Sequence, residues 1–256
     1  MKSERIELEN IKNCRDLGGM VTKDGHEIKK RCLYRSNHLF GASHNDMERL
    51  HDEYGLRRII DLRNGVEIYQ KKDPEYEGIE YIERCVHYNE FFGVTQDEES
   101  VRKMNEFFER MDREYVYNPA SAGTHMEDFY RELLDDYGVR AYGEFMRLVL
   151  ECEGAVLWHC SLGKDRCGVA TALVLEMLGV DREDIIEDYL YTNICLYESE
   201  EIPFSPEGFL HYAHRSFIEA YYKEAEIRFG SIDGLFMEMG LDENFKERFR
   251  KKYLVL

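Results

Sequence analysis

The sequence predicts an α/β domain, and three observations carry that reading. A short apolar run, Gly154-Ala155-Val156-Leu157-Trp158, has the length and content of a strand buried on both faces. It leads through a polar loop into a helix from about Val169 to Leu178 that is apolar nearly all round, the mark of a central, buried helix. Around this pair, short strand patterns alternate with longer stretches at helical spacing. At 256 residues the chain fits one large domain, or a core with an insertion, and its 43% hydrophobic content can bury a core.

Taken in order, Cys32 to Arg35 reads as a short strand and Met47 to Tyr54 as a helix stopped by Gly55. Arg57 to Leu62 reads as a strand ending in charge. Gly78 to Arg84 is a weaker strand pattern, because Ile82 breaks the alternation of Ile79 and Tyr81 against Glu80. Between Phe91 and Tyr137 the composition turns acidic and aromatic. Val101 to Tyr115 and Met126 to Tyr137 look helical, with Asn118 to Gly123 as a loop between them. The expectation is a single domain over residues 1–256 with a helical lid at about 91–137. Gly138 to Leu150 reads as an amphipathic helix. After the central helix, Asp181 to Cys195, Glu207 to Phe229, Ser231 to Met239 and Asp242 to Tyr253 read as helices, with Asp181, Ser231 and Asp242 as good N-caps.

The net charge of −18 repels polyanions at long range, so no nucleic-acid partner is expected, and the same field opposes adsorption to anionic lipid. A small, locally basic pocket remains compatible with it. The longest apolar stretch, Gly168 to Val180, is interrupted by Glu176 and too short to span a membrane. The first residues, Met1 to Glu7, lack the apolar core of a signal peptide, so a cytoplasmic location is the expectation. Seven cysteines, at 14, 32, 85, 152, 160, 167 and 195, include no Cys-x-x-Cys pair. An odd count without such pairs argues against a disulfide scaffold and against a four-cysteine zinc site, and leaves room for one catalytic thiol.

The chemistry concentrates in His159-Cys160-Ser161-Leu162-Gly163-Lys164-Asp165-Arg166-Cys167-Gly168. Cys-x5-Arg alone is a weak pattern. Its setting between a buried strand and an apolar helix, with Gly, Lys and Asp inside, makes it specific. A thiol is a weak nucleophile until ionised, and a helix start with nearby cations favours the thiolate. Successive backbone N–H groups of a tight loop, here Ser161 to Cys167, form a nest for phosphoryl oxygens. Gly163 allows positive φ or a close backbone approach. Arg166 can bind two equatorial oxygens through its planar fork, which Lys cannot copy. Transfer to sulfur gives a phosphocysteine that water hydrolyses, with no metal or cofactor required.

The segment resembles the bacterial tyrosine/serine protein and phosphoinositide phosphatase family, whose signature is His-Cys-x-x-Gly-Lys-Asp-Arg-Thr-Gly. Asn13-Cys14-Arg15-Asp16-Leu17-Gly18-Gly19 is similar to the family's Asn-x-Arg-Asp-Leu-Gly-Gly start. Leu33-Tyr34-Arg35-Ser36, Ile60-Asp61-Leu62-Arg63 with Glu67, and Asp188-Tyr189-Leu190 with Asn193 also fit. The resemblance runs from about residue 10 to the C-terminus. It implies a protein-tyrosine-phosphatase-like α/β fold, with a central, mostly parallel sheet flanked by helices and a helical lid.

By that resemblance Cys160 is the nucleophile, Arg166 the phosphate clamp and Asp165 the general acid. The alternative for Asp165 is a structural carboxylate paired with Arg15 or Lys164. Asp61, at the end of a core strand, is the second candidate acid. Lys164 adds charge to the loop floor and makes multiply phosphorylated substrates plausible; the plainer reading is that it helps hold one phosphate. His159 is expected to orient the loop, and Arg15 and Asp16 to brace it. One departure stands out. Cys167 replaces a Thr or Ser whose hydroxyl would donate to the nucleophile's sulfur, and a thiol is a weaker donor. Slower release of the phosphoenzyme is expected, and Cys167 becomes a candidate redox partner of Cys160. The expected function is phosphomonoester hydrolysis on phosphotyrosine, extending to phosphoserine/threonine or phosphoinositides. The alternatives are an inositol-phosphate phosphatase and a phosphate-binding pseudophosphatase.

Overall fold

The computed structural model describes residues 3–87, 119–203 and 205–255. Among these, six strands form one sheet in the order β1 (Glu4–Arg5), β2 (Arg15–Asp16), β4 (Leu33–Ser36), β7 (Ala155–His159), β5 (Leu56–Asp61) and β6 (Glu80–Glu83). The four strands from β4 to β6 run parallel, and β1 and β2 add antiparallel pairs at one edge. The mostly parallel sheet is therefore as expected. A separate antiparallel pair joins β3 (Glu27–Ile28) to β8 (Leu254–Val255).

The sheet alternates cleanly between two hydrophobic layers. Ala155 and Leu157 of β7 face the same cluster as Tyr34, Leu56 and Ile59, covered by Met47 and Leu50 of α1 (His44–Asp52). Val156 and Trp158 face the other way, into a larger core with Leu33 and Ile60. A two-residue side-chain period with both faces buried is what a continuous apolar run requires. Trp158 is fully buried, stacks edge-on against Phe145 at 5.5 Å, and donates from its indole to Thr171 Oγ1 at 3.0 Å. Each such buried side chain contributes about 1.5–3 kcal/mol.

The larger core is built by α4 (Asp136–Glu151), α5 (Asp165–Leu178), α6 (Arg182–Tyr197), α8 (Arg215–Phe229), α9 (Ile232–Glu238) and α10 (Glu243–Tyr253). Helix α5 is buried on almost every side, from Cys167 to Leu178. The remaining helices are α2 (Gly65–Gln70), α3 (Pro119–Glu132), whose Met126 and Tyr130 join the same core, and α7 (Pro206–His211).

Four boundaries differ from the sequence expectation. Helix α5 begins at Asp165, so Asp165, Arg166 and Cys167 stand in its first turn instead of in a loop. The stretch from Pro119 to Gly123 belongs to α3, whose described part begins at Pro119, and is not a loop. That helix stops at Glu132, because Asp135 caps the next one by accepting from the Gly138 N–H at 2.6 Å. The expected helix from Glu207 to Phe229 is broken at Tyr212 to His214, where Asn193 takes both the N–H and the carbonyl of Ala213. The expected helix Val101 to Tyr115 and the lid as far as residue 118 lie outside the described residues.

Candidate active site

The parallel strands set the site. Ser36, His159 and Asp61 are in register across β4, β7 and β5, so three strand ends finish beside Cys160. Crevices at the carboxyl ends of such strands are where ligands bind in α/β sheets. The loop from Cys160 then closes onto the N-terminus of α5, with Cys160 itself 2% exposed and Ser161, Leu162, Asp165 and Arg166 partly exposed.

Backbone contacts hold the loop from outside. Gly163 has φ +68°, and a Cβ there would lie 2.2 Å from the Ser36 carbonyl oxygen, so no other residue fits. Asn13, itself at φ 57°, donates its amide to the carbonyls of Leu162 at 3.0 Å and Gly163 at 3.1 Å. Arg35 donates to the Gly163 carbonyl at 2.7 Å, and the His38 N–H to that of Ser161 at 3.0 Å. A loop whose carbonyls are engaged on the outside can turn its N–H groups toward an anion.

Arg166 is gripped by Glu67 of α2. Both terminal nitrogens donate to the carboxylate at 2.6 Å, and the Ser161 hydroxyl donates to the same group at 2.5 Å. Glu67 is placed by a capping box, in which Asn64 caps Val66 and Glu67 while Glu67 Oε2 accepts from the Asn64 N–H. Burial pushes the Glu67 carboxyl up, but Arg166 and Ser161 outweigh it and hold it down at about 2. A guanidinium has five N–H donors. The two that point at Glu67 fix the plane of the fork, and the other three make no hydrogen bond among the described residues.

Asp165 and Lys164 sit on the other side of the loop. Lys164 is buried and donates to the carbonyls of Leu210 at 2.8 Å and Tyr212 at 3.2 Å, with Asp165 Oδ1 at 3.1 Å. Asp165 Oδ1 also accepts from the Tyr130 hydroxyl at 2.8 Å.

Two buried ionic clusters flank the loop. In the first, Asp188 lies between Arg35 (3.0 Å) and Arg15 (3.4 Å) and accepts from Ser3, while Arg15 reaches on to Asn13. In the second, the Arg63 guanidinium binds Asp61 at 2.7 Å and Asp73 at 3.0 Å; Asp61 also accepts from Tyr81, and His159 Nε2 lies 2.9 Å from Asp73. Asp61, Asp73 and His159 converge as a metal site would, but the two carboxylates already share the Arg63 guanidinium. His159 Nδ1 is 3.1 Å from the Cys160 carbonyl oxygen. Burial pulls the imidazole toward its neutral form, yet Asp61 and Asp73 prevail and raise its pKa.

Of the residues marked in the sequence, Cys160 to Cys167 come together with Arg15, Asp61 and His159. Arg15 braces the loop through Asn13. Asp16 does not: its oxygens take the N–H groups of Gly18 and Arg31, closing a neighbouring turn. The Cys167 thiol is buried, points at the carbonyls of Trp158 (3.6 Å) and Ser36 (3.9 Å), and is pushed up to about 11 by burial. All seven cysteines are free thiols. Glu67, Asn13 and Tyr130 had no role assigned from sequence. Glu67 stood within the resemblance, where Asn64-x-x-Glu67 was a legible capping box; nothing local marks Tyr130 as a neighbour of Asp165.

Comparison with known proteins places the chain in a family. The family model described as "Tyrosine phosphatase family" matches residues 6–255. A protein of Cupriavidus necator, provisionally named a tyrosine-protein phosphatase, is 31% identical over 191 residues, covering 73% of this chain and 63% of that relative. The triple specificity protein phosphatase PtpB of Mycobacterium tuberculosis is 40% identical over 73 residues, 28% of this chain and 26% of its own length. The chain thus spans under two thirds of each of these relatives. Among solved structures, TpbA of Pseudomonas aeruginosa in complex with phosphotyrosine is similar at 15% identity and TM-score 0.42, covering 85% of this chain and 91% of that one. The core catalytic domain of the Saccharomyces cerevisiae PP-IP phosphatase SIW14 is similar at 13% identity and TM-score 0.37, covering 81% and 87%. On a match running almost end to end, the chain belongs to the tyrosine phosphatase family.

Proposed function

We propose that the protein hydrolyses phosphomonoesters through a phosphocysteine, with phosphotyrosine as the leading substrate. The observation that carries this reading is the Arg166 fork, oriented by Glu67, in the first turn of α5 and six residues after Cys160 at the start of the preceding loop. The Cys160 thiolate attacks phosphorus; the S–P bond forms as the ester P–O bond breaks. Loop N–H groups and Arg166 hold the equatorial oxygens, which carry the charge of the transition state. Asp165 gives its proton to the leaving oxygen. In the second step it takes a proton from water as water attacks phosphorus and Cys160 leaves as thiolate.

Lys164 bears on substrate choice. Its ammonium is spent on two carbonyls and Asp165, so a single phosphate suits the site better than a multiply phosphorylated headgroup. The resemblance to a protein and phosphoinositide phosphatase family keeps phosphoserine/threonine and phosphoinositides in the panel, and PtpB is itself named for triple specificity.

The test is turnover by wild type and Cys160→Ser on a phosphotyrosine peptide, a phosphoserine peptide, a phosphoinositide and an inositol phosphate. Wild type should turn over phosphotyrosine fastest. Cys160→Ser should lose turnover and keep phosphate binding, because a serine hydroxyl is not ionised at neutral pH while the nest is unchanged. Undiminished turnover in that variant overturns the thiol mechanism. Binding without turnover by wild type would make the protein a pseudophosphatase, and fastest turnover of the inositol phosphate would reassign the substrate.

A further inference from the structure

We propose that Tyr130 is a positioning residue for Asp165, fixing which carboxyl oxygen carries the catalytic proton. The inference rests on the reading of Asp165 as the general acid. The Tyr130 hydroxyl donates to Asp165 Oδ1 at 2.8 Å and lies 2.7 Å from the Tyr189 hydroxyl. A phenol has one proton. Since Tyr130 gives it to Asp165, the Tyr189 hydroxyl must donate to Tyr130, and the chain of donors runs from Tyr189 to Tyr130 to Oδ1.

The Tyr130 ring is fully buried and meets Phe129, Tyr189 and Phe217 with centroids at 6.0, 6.2 and 5.8 Å. Its hydroxyl is therefore held in place from three sides. Lys164 Nζ is 3.1 Å from the same Oδ1. Both partners thus fall on one oxygen, and among the described residues no hydrogen bond falls on Oδ2. Oδ1, with the Tyr130 hydroxyl donating to it and the Lys164 ammonium 3.1 Å away, is an acceptor only; the proton belongs to Oδ2.

The arrangement acts where catalysis needs it. As Oδ2 gives its proton to the leaving oxygen, negative charge develops on the carboxylate, and the Tyr130 and Lys164 interactions strengthen with it. Interactions that grow toward the transition state accelerate the step. Tyr130 stands on α3, within the segment that the composition marks as lid, so the acid's geometry depends on that helix being in place.

The test measures kcat/KM of wild type, Asp165→Asn and Tyr130→Phe on aryl phosphates whose phenols span a range of acidity. Asp165→Asn should fall most on the poorest leaving groups. Tyr130→Phe should show the same ranking with a smaller loss, on the order of tenfold at the poor end and under about twofold at the good end. An equal fall across the series in Tyr130→Phe, with the ranking kept in Asp165→Asn, overturns the positioning role alone. No ranking in Asp165→Asn overturns the acid assignment, and the positioning role with it. Should Tyr130→Phe fail to fold by thermal melting, Tyr189→Phe decides. It leaves both Oδ1 partners but removes the donor behind Tyr130; the same ranking at about twofold loss is expected, and a flat response overturns the role.

Discussion

The two ionic clusters beside the phosphate loop contain the same kinds of group in opposite proportion. Around Asp188, one anion serves two arginines, Arg15 and Arg35. Around Arg63, two anions, Asp61 and Asp73, serve one guanidinium, with His159 lying against the second. Both clusters are essentially without solvent exposure. They grip different things. Arg35, and Arg15 through Asn13, end on the carbonyls of Leu162 and Gly163, so the first cluster shapes the middle of the loop. The second fixes the strand end that delivers Cys160, through Asp61 on β5 and His159 on β7. An excess of cations against the carbonyls of this loop suits a site for an anion. An excess of carboxylates there would oppose it, and that excess is placed where Arg63 and His159 can absorb it.

The difference predicts unequal costs for removing one negative charge. Asp188→Asn leaves two buried arginines with no counter-charge, the situation in which breaking a buried ion pair is worst. Urea unfolding should show a loss of about 3–5 kcal/mol, and phosphatase activity should drop with it because the loop's carbonyl anchors loosen. Stability within about 1 kcal/mol of wild type would mean that the arginines find other partners and that Asp188 is no keystone.

Asp73→Asn should cost less. Arg63 keeps its paired contacts with Asp61, and an amide oxygen can still accept from the guanidinium. The expected loss is about 1–2 kcal/mol by the same unfolding measurement. A loss equal to that of Asp188→Asn would erase the proposed asymmetry.

How much of this was legible in the sequence depends on range. The strand from Ala155, the central helix and the Cys160–Arg166 loop were readable because apolar run, period and motif are local. The helix caps Asp181, Ser231 and Asp242 were readable for the same reason. The two-residue strands β1, β2, β3 and β8 were not, since two residues carry no periodicity and exist only through distant partners. The break before α8 was hidden because Asn193 imposes it from another helix. Within the site, the motif residues Arg35, Arg63 and Asp188 were visible as resemblance, but their division into a cation-rich and an anion-rich cluster emerges only when residues up to 185 positions apart meet. Asp61 illustrates the limit. A carboxylate at a strand end reads as a candidate acid, while in the fold it is fully buried and bound by Arg63 and Tyr81.

The smallest effect is a difference in pH response. The Arg15–Arg35–Asp188 cluster holds a carboxyl whose pKa is lowered: burial opposes this, and the two arginines overcome it. Its contribution to stability is present above the ordinary carboxyl value of 3.8 and is lost only as pH falls. The other cluster contains His159, whose pKa is raised above 6.5 because Asp61 and Asp73 outweigh burial. A raised group contributes stability fully below its unfolded value, near 6.5, and loses it as pH rises through the folded value. So the two clusters fail at opposite ends of the scale. The unfolding free energy of His38→Gln minus that of the double variant His38→Gln with His159→Gln, measured in urea in steps upward from pH 6, should be largest at the lowest pH and shrink as the medium becomes alkaline. Taking the difference removes His87 and His214, whose shifts do not involve His159; His38, lowered by burial and by neighbouring charges that include His159, is replaced by Gln in both proteins compared. A difference that stays flat, or grows with pH, would show that His159 is neutral in the fold. The two carboxylates would then balance Arg63 alone, and the contrast between the clusters would rest on charge count without a titrating member.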